Sequence, residues 1–149
     1  MATTEKLHIK ITLSGTYWDK VPEYTILVDD TQIQRAQLSQ PTDTEEVIEF
    51  DTELADDEYH ELKIRLENKT DSDTVENEDK TAIVRDMVLN IQKIEIDEID
   101  LGQLISTASL YTGDDASRPV LDNCVNLGWN GTWALKFRSP FYIWLLENI

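Results

Sequence analysis

Clustered carboxylates are the side chains of this 149-residue sequence best suited to holding an ion. Positions 43–79 contain 16 of the 30 acidic residues and three basic ones. The richest stretch carries Asp71, Asp73, Glu76 and Glu78, whose oxygens are the hard ligands that calcium prefers. It is not an EF-hand, because the fifth position is valine and the turn glycine is missing. The stretch indicates either a calcium site or a solvated acidic loop.

Two neighbouring rings, Tyr17 and Trp18, follow the first predicted strand. An exposed pair of such rings offers flat apolar faces with polar edges, which is the surface on which a sugar ring stacks. The same residues could instead pack a turn against the core. The sequence therefore leaves a carbohydrate-binding role and a packing role open for this pair.

Six of the twelve aromatic residues lie between positions 129 and 149. Aromatic anchors dominate the energetics of protein interfaces, so this segment predicts a docking surface for a protein partner. Its alternative is ordinary core packing. The predicted anchors are Trp129, Trp133, Phe141, Tyr142 and Trp144.

Residues for nucleophilic catalysis are scattered. None of the seven serines lies in a G-x-S-x-G elbow, and Cys124 has no histidine near it in sequence. His8 falls on the polar side of its strand and His60 on the inward side. The abundance of acids makes any carboxylate pair uninformative. We therefore expect a protein that is not an enzyme.

The charge balance excludes whole classes of partner. With 13 basic and 30 acidic residues the formal net charge is −17, which repels phosphate backbones and anionic bilayers. A single cysteine allows no internal disulfide and no cysteine cluster for zinc. The first thirty residues show no apolar run of the kind a signal peptide needs. We expect no direct nucleic-acid or membrane binding and no export by a signal peptide.

Alternation of apolar and polar residues is the dominant pattern, and it predicts strands with one solvent-facing side. The clearest example places Leu7, Ile9, Ile11 and Leu13 on one side. The predicted strands are 7–13, 24–28, 33–38, 46–50 and 60–67, the second and third forming a hairpin. The polar stretch 70–80 lacks periodicity and predicts a mobile loop.

From position 87 the apolar residues change parity twice. The first change, across Gln92 and Lys93, predicts a β-bulge, because an extra residue moves the inward set from odd to even positions. The second, across Asp97 and Glu98, predicts a tight turn. A helix across 87–96 fits fewer of the apolar positions.

The last part of the chain is read as two strands, 132–137 and 141–146. Asn130-Gly131 precedes them and is a strong hairpin signal. The second strand is apolar on both parities, so both of its faces must be covered. Alternatively, Ser139 could cap a short helix with Pro140 in its first position.

Together these elements predict an all-β fold, an antiparallel, jelly-roll-like β-sandwich with little helix. No linker rich in glycine, serine or proline divides the chain. We expect a single domain over 1–149, with a core across about 5–111 and the aromatic segment 119–149 packed on it or on a partner.

The segments LHIKITLSGTYW, YTILVDDTQI, HELKIRLENKT and DMVLNIQKIEIDEIDL resemble the calcium-dependent carbohydrate-binding modules of the xylan-binding type. Asp29-Asp30 and Asp97-Glu98 stand where that family has Asp-Gly. The resemblance covers about 7–101. It implies a jelly-roll sandwich that binds a glycan, with calcium as its cofactor. From the residues alone we expect no cofactor other than calcium in the acidic stretch.

The chain combines an acidic body with an aromatic C-terminal segment, WNGTWALKFRSPFYIWLLENI. In this general composition it resembles virion structural proteins of tailed phages, especially those infecting cyanobacteria. This implies a subunit present in several copies on the virion, assembled in the host cytoplasm and docked to protein partners. A structural or accessory subunit is the leading hypothesis. A calcium-assisted carbohydrate-binding module is the second. An acidic mimic of nucleic acid, which would inhibit a DNA-binding protein, is the third.

Overall fold

Strands make up most of the structure, a computed structural model that describes residues 3–149. The strands are β1 (Thr4–Thr16), β2 (Glu23–Val28), β3 (Thr31–Gln37), β4 (Glu46–Ala55), β5 (Tyr59–Leu66), β6 (Val75–Glu76), β7 (Ile83–Arg85), β8 (Val88–Ile96), β9 (Ile99–Asp100), β10 (Ser109–Gly113), β11 (Leu121–Asp122), β12 (Asn126–Leu127) and β13 (Gly131–Arg138). The helices are a 3-10 turn (Asp71–Asp73), α1 (Leu104–Thr107) and α2 (Phe141–Asn148).

Two antiparallel sheets enclose one hydrophobic core. The first has the order β12-β8-β1-β4, with β9 paired to β8, and the second has the order β11-β10-β13-β5-β2-β3. Strands β6 and β7 form a separate hairpin. Buried residues of both sheets belong to a single core cluster. The predicted all-β, antiparallel sandwich is confirmed.

Strand β1 shows why the alternating pattern was informative. Its odd-numbered apolar residues from Leu7 to Leu13 are fully buried, whereas the side chain of His8 is 43% exposed. Where β1 meets β8, Leu13 pairs with Ile91 and Thr12 with Lys93, so Gln92 is the extra residue of a bulge. The predicted bulge is confirmed.

The predicted turn between β8 and β9 is also confirmed. Asp97 and Glu98 both have positive φ, 51° and 69°, as the two central residues of a type I′ hairpin turn do.

The segment 70–80, predicted as a mobile loop, contains the 3-10 turn and β6. The Asp73 side chain stabilises the 3-10 turn. Its carboxylate accepts a hydrogen bond from the Thr70 backbone amide at 2.7 Å and lies 3.0 Å from the Lys20 ammonium. Burial alone would raise the pKa of Asp73, but these contacts hold the pKa below its usual range. Strands of two or three residues leave no periodicity to detect.

The prediction of a strand across 141–146 is wrong, because this segment is α2. Pro140 is the N-cap residue, so the helix begins one position later than the alternative proposed. A carboxylate from β1 replaces the missing side-chain cap: Glu5 accepts the Phe141 amide at 2.9 Å and the Ser139 hydroxyl at 2.5 Å. Glu5 lies 136 residues away in sequence, so local patterns carry no sign of it.

Three of the five predicted docking anchors lie inside the domain. Trp133 and Phe141 have no exposed surface, and Trp144 is 6% exposed. The ring of Phe137 contacts both Phe141 and Trp144 at centroid distances of 6.1–6.2 Å. This corrects the expectation that Trp133, Phe141 and Trp144 are available to a partner: both sheets and α2 enclose them.

The hairpin predicted at Asn130-Gly131 is wrong. Strand β12 before it pairs with β8 in the first sheet, while β13 after it pairs with β5 and β10 in the second. These residues therefore carry the chain from one sheet to the other. The Asn130 amide fixes the crossing, because it accepts the Lys69 amide at 2.8 Å and donates to the Lys69 carbonyl at 3.0 Å.

His60 on β5 is a buried histidine with an acceptor at each ring nitrogen. Nδ1 lies 2.8 Å from an oxygen of Asp29, and Nε2 lies 2.8 Å from the Ala55 carbonyl. Only the protonated ring can donate to both. Burial lowers the pKa of His60, but the bonds to Ala55 and Asp29 outweigh it and raise the pKa above its usual value.

We expect the free energy of unfolding to fall as the pH rises through the folded-state pKa of His60. The contribution is complete below the unfolded-state pKa of about 6.5 and is lost above the higher folded value. Urea unfolding between about pH 5.5 and 8.5 measures it, and a His60→Gln variant, which does not titrate, should show a smaller slope. His8→Gln is measured beside it, because the raised pKa of His8 adds its own share to the slope and that share must be separated. Equal slopes for the wild type and His60→Gln would contradict the prediction.

Candidate functional site

Tyr17 and Trp18 make separate contacts with the rest of the chain. The Tyr17 hydroxyl donates to the Gln40 carbonyl at 3.0 Å, and its ring packs against the core. The Trp18 indole donates to the Asp73 carbonyl at 2.9 Å, and the Arg85 guanidinium lies 5.1 Å from its ring centre. Trp18 therefore braces the 3-10 turn.

The four carboxylates predicted to bind calcium point to different surroundings. Asp73 is buried against Thr70 and Lys20, Glu78 lies exposed beyond β6, and Asp71 and Glu76 line a cleft. Within residues 3–149, no three acidic, histidine or cysteine side chains are grouped so as to hold a metal ion. These residues do not fit a preformed calcium site.

The cleft, of about 690 Å³, is the surface feature that brings functional side chains together. Three segments line it: 69–86, which includes the β6–β7 hairpin, the loop 114–118 after β10, and the crossing 128–130. We call it the Trp129 cleft. Its volume lies within the usual range for small-molecule sites, about 300–1,000 Å³. Its charged lining residues are Asp71, Glu76, Asp86, Asp114, Asp115, Lys69 and Arg118.

Asp86 is the most firmly positioned acid of the cleft. Its Oδ1 accepts hydrogen bonds from the Lys69 ammonium at 2.7 Å, the Thr74 hydroxyl at 2.7 Å and the Met87 backbone amide at 2.9 Å. Burial alone would raise the pKa of Asp86, but these donors lower it below its usual range. No described residue donates to Oδ2, so an ionised oxygen is left for solvent or a ligand.

Trp129 gives the cleft an aromatic wall. Its indole stacks on Tyr111 with centroids 5.5 Å apart, and the Tyr111 hydroxyl donates to the Trp129 carbonyl. The Arg118 guanidinium lies 4.5 Å from the indole centre. Stacking and hydrogen bonding therefore fix the ring before any ligand arrives. Trp129 Nε1 finds no hydrogen-bond partner in the part of the chain described.

A second acid that lines the cleft, Asp114, forms an ion pair with an arginine of the second sheet. Asp114 accepts two hydrogen bonds from Arg65 on β5, at 3.1 and 2.7 Å. Asp86 is likewise paired with Lys69. The other charged residues of the lining are one base, Arg118, and three acids, Asp71, Glu76 and Asp115. The cleft is therefore acidic on balance.

The sequence pattern did not reveal this site. Asp86, Asp115 and Arg118 were not singled out, and Trp129 was assigned to a docking surface. The lining residues come from separate loops and share no spacing. Two signals were usable: the acidic stretch that contains Asp71 and Glu76, and Trp129 beside Asn130-Gly131. Neither indicates that these residues share one cleft.

None of the helices in residues 3–149 is long and apolar enough to cross a membrane. No protein-family model matches the sequence, and no curated protein matches it either.

Two solved structures share the fold. One is described as vCBM60 in complex with galactobiose, with a TM-score of 0.52 and 13% identity over 86% of this chain and 96% of that one. The other is a form of vCBM60 from work on two families of calcium-dependent carbohydrate-binding modules. It has a TM-score of 0.51 and 14% identity over 87% of this chain and 89% of that one. The chain thus has the fold of a carbohydrate-binding module. Neither match concerns a virion, so the assignment to a phage particle stays a prediction from sequence.

Proposed function

We propose that this protein is a non-catalytic carbohydrate-binding module that holds a short glycan in the Trp129 cleft. The observation that carries the proposal is an indole held by Tyr111 and covered by the Arg118 guanidinium, in an open cleft that is also lined by carboxylates. Sugars need both features, because their C–H faces stack on aromatic rings while their hydroxyls bond to polar groups. The fold shared with vCBM60 supports the same conclusion.

The positions of the charges assign roles within the cleft. Asp86 Oδ2 accepts a sugar hydroxyl, since its partner oxygen is already engaged. The sugar ring takes the place of the Arg118 guanidinium against Trp129, and Arg118 then donates to hydroxyl oxygens. Asp71 and Glu76, which lie on the same 69–86 segment as Asp86, bind further hydroxyls.

The charge balance selects the glycan. The acids left unpaired in the cleft, and the net charge of −17, repel uronic acids and sulfated sugars. We therefore expect neutral oligosaccharides to bind and polyanionic ones to be rejected. Selective binding of neutral oligosaccharides would distinguish this proposal from nonspecific adsorption of polysaccharides.

Trp129→Ala is expected to weaken glycan binding at least about tenfold, because the stacking wall is lost. A glycan array identifies the ligand, with galactobiose as the first probe, and isothermal titration gives the affinity. Tyr59→Ala is the matched control, since it removes an exposed aromatic ring that lies outside the cleft. Each titration is run with calcium and with EDTA, which separates direct binding from binding through a cation.

The proposal fails if no neutral glycan is retained on the array. It also fails if Trp129→Ala and Tyr59→Ala reduce affinity equally, because binding would then not depend on the cleft. Circular dichroism of each variant verifies that the sheet signal is unchanged.

A further inference from the structure

Helix α2 is apolar on two faces, and the described chain covers only one of them. Phe141, Trp144 and Leu145 are buried. In the other stripe, Tyr142, Leu146 and Ile149 follow the i, i+4, i+7 spacing of a helix face, and Ile143 lies at its edge. Its exposed fractions are 47% for Tyr142, 56% for Ile143, 73% for Leu146 and 80% for Ile149, and we call these residues the α2 outer face.

This face continues into a groove of about 300 Å³ beside Tyr59, Pro140 and Trp144. A helix that is hydrophobic all round is normally buried on all sides, so a solvent-exposed apolar face of this kind marks an interaction surface. The groove supplies the concave feature into which a large side chain of a partner would fit.

Acidic side chains surround the α2 outer face. Asp97 accepts the Tyr142 hydroxyl at 3.5 Å, and Glu5 and Glu98 lie near enough to raise the pKa of Tyr142, after burial as the main cause. Asp57 and Glu147 line the groove, where Arg138 is the basic residue. The apolar face thus has five carboxylates around it.

We propose that the α2 outer face binds an amphipathic segment of another protein, one that carries lysine or arginine beside its apolar side chains. Complementary charge selects this occupant. In a symmetric pair of copies the two acidic borders would face each other, and each chain carries −17. An anionic bilayer meets the same repulsion. This interaction is separate from glycan binding in the Trp129 cleft.

The test uses the full chain and a labelled amphipathic peptide of leucine and lysine, about 18 residues long so that it can form a helix. Fluorescence anisotropy should show binding that Ile143→Ser/Leu146→Ser weakens at least about tenfold without altering net charge. Val47→Ser/Val120→Ser, at exposed apolar positions outside both this face and the Trp129 cleft, is the matched control and should bind normally. A peptide with glutamate in place of lysine should not bind.

Equal binding by the wild type and Ile143→Ser/Leu146→Ser would overturn the proposal, because general charge attraction would then explain the affinity. Sedimentation that shows a dimer lost in the same variant would also overturn it, since a second copy would occupy the face. Binding to anionic vesicles through Ile143 and Leu146 would overturn it in favour of a membrane. Unfolding curves of both variants confirm that the core is intact.

Discussion

Phe141→Ala is expected to lower the free energy of unfolding by about 3–5 kcal/mol, as truncation of a buried phenylalanine does. The ring has no exposed surface and contacts Phe137 and Trp144 at centroid distances of 6.2 Å. Its removal leaves a cavity where α2 meets the second sheet, and only Trp144 and Leu145 remain as buried residues of this helix. Urea unfolding followed by tryptophan fluorescence measures the loss.

Tyr142→Ala is the matched control for Phe141→Ala. It removes the adjacent ring, which is 47% exposed, and is expected to cost much less. The comparison separates core packing from docking. If Phe141→Ala left the stability of the isolated protein unchanged but abolished a partner interaction, the assignment of Phe141 to the core would be wrong.

The fold could be predicted from sequence wherever a strand has one wet and one dry face. In β1 the alternation of Leu7, His8 and Ile9 fixes both the element and its inward side. The same logic located the Gln92 bulge, because the parity of buried residues changes there. These features depend on near neighbours in the chain.

Prediction failed where distant contacts decide the structure. The apolar run of α2 fits a doubly covered strand and a buried helix equally well by periodicity. The Glu5 carboxylate, which caps α2 from β1, settles the choice. Asn130-Gly131 is similar: its local hairpin preference is overridden by pairing of the flanking strands in different sheets.

The candidate site was harder to predict than the fold, for a related reason. A glycan cleft needs side chains from several loops, and only the tertiary fold brings Asp86 close to Trp129. Exposed aromatic residues are the usual sequence signal, but composition alone does not separate a wall such as Trp129 from a buried ring such as Trp133. The acidic residues gave no discrimination because they are so numerous.

Gly131→Ala is expected to lower the free energy of unfolding by about 1–3 kcal/mol, because an added methyl group overpacks the crossing between the sheets. A Cβ there would lie 2.5 Å from the Thr112 carbonyl oxygen and 2.9 Å from Gly113 Cα. Both are backbone atoms of β10, the partner strand, so no side chain can turn away to make room. The Tyr111 ring, 3.1 Å away, closes the remaining side.

Gly128→Ala is the matched control for Gly131→Ala, because no atom lies within 4 Å of a Cβ at that position. It should change the unfolding free energy by less than about 0.5 kcal/mol. Chemical denaturation of both variants beside the wild type provides the comparison. Equal stability of Gly131→Ala and Gly128→Ala would mean that β10 and β13 can separate enough to admit the methyl group. The close strand approach that fixes Trp129 beside Tyr111 would then not be a constraint on the cleft.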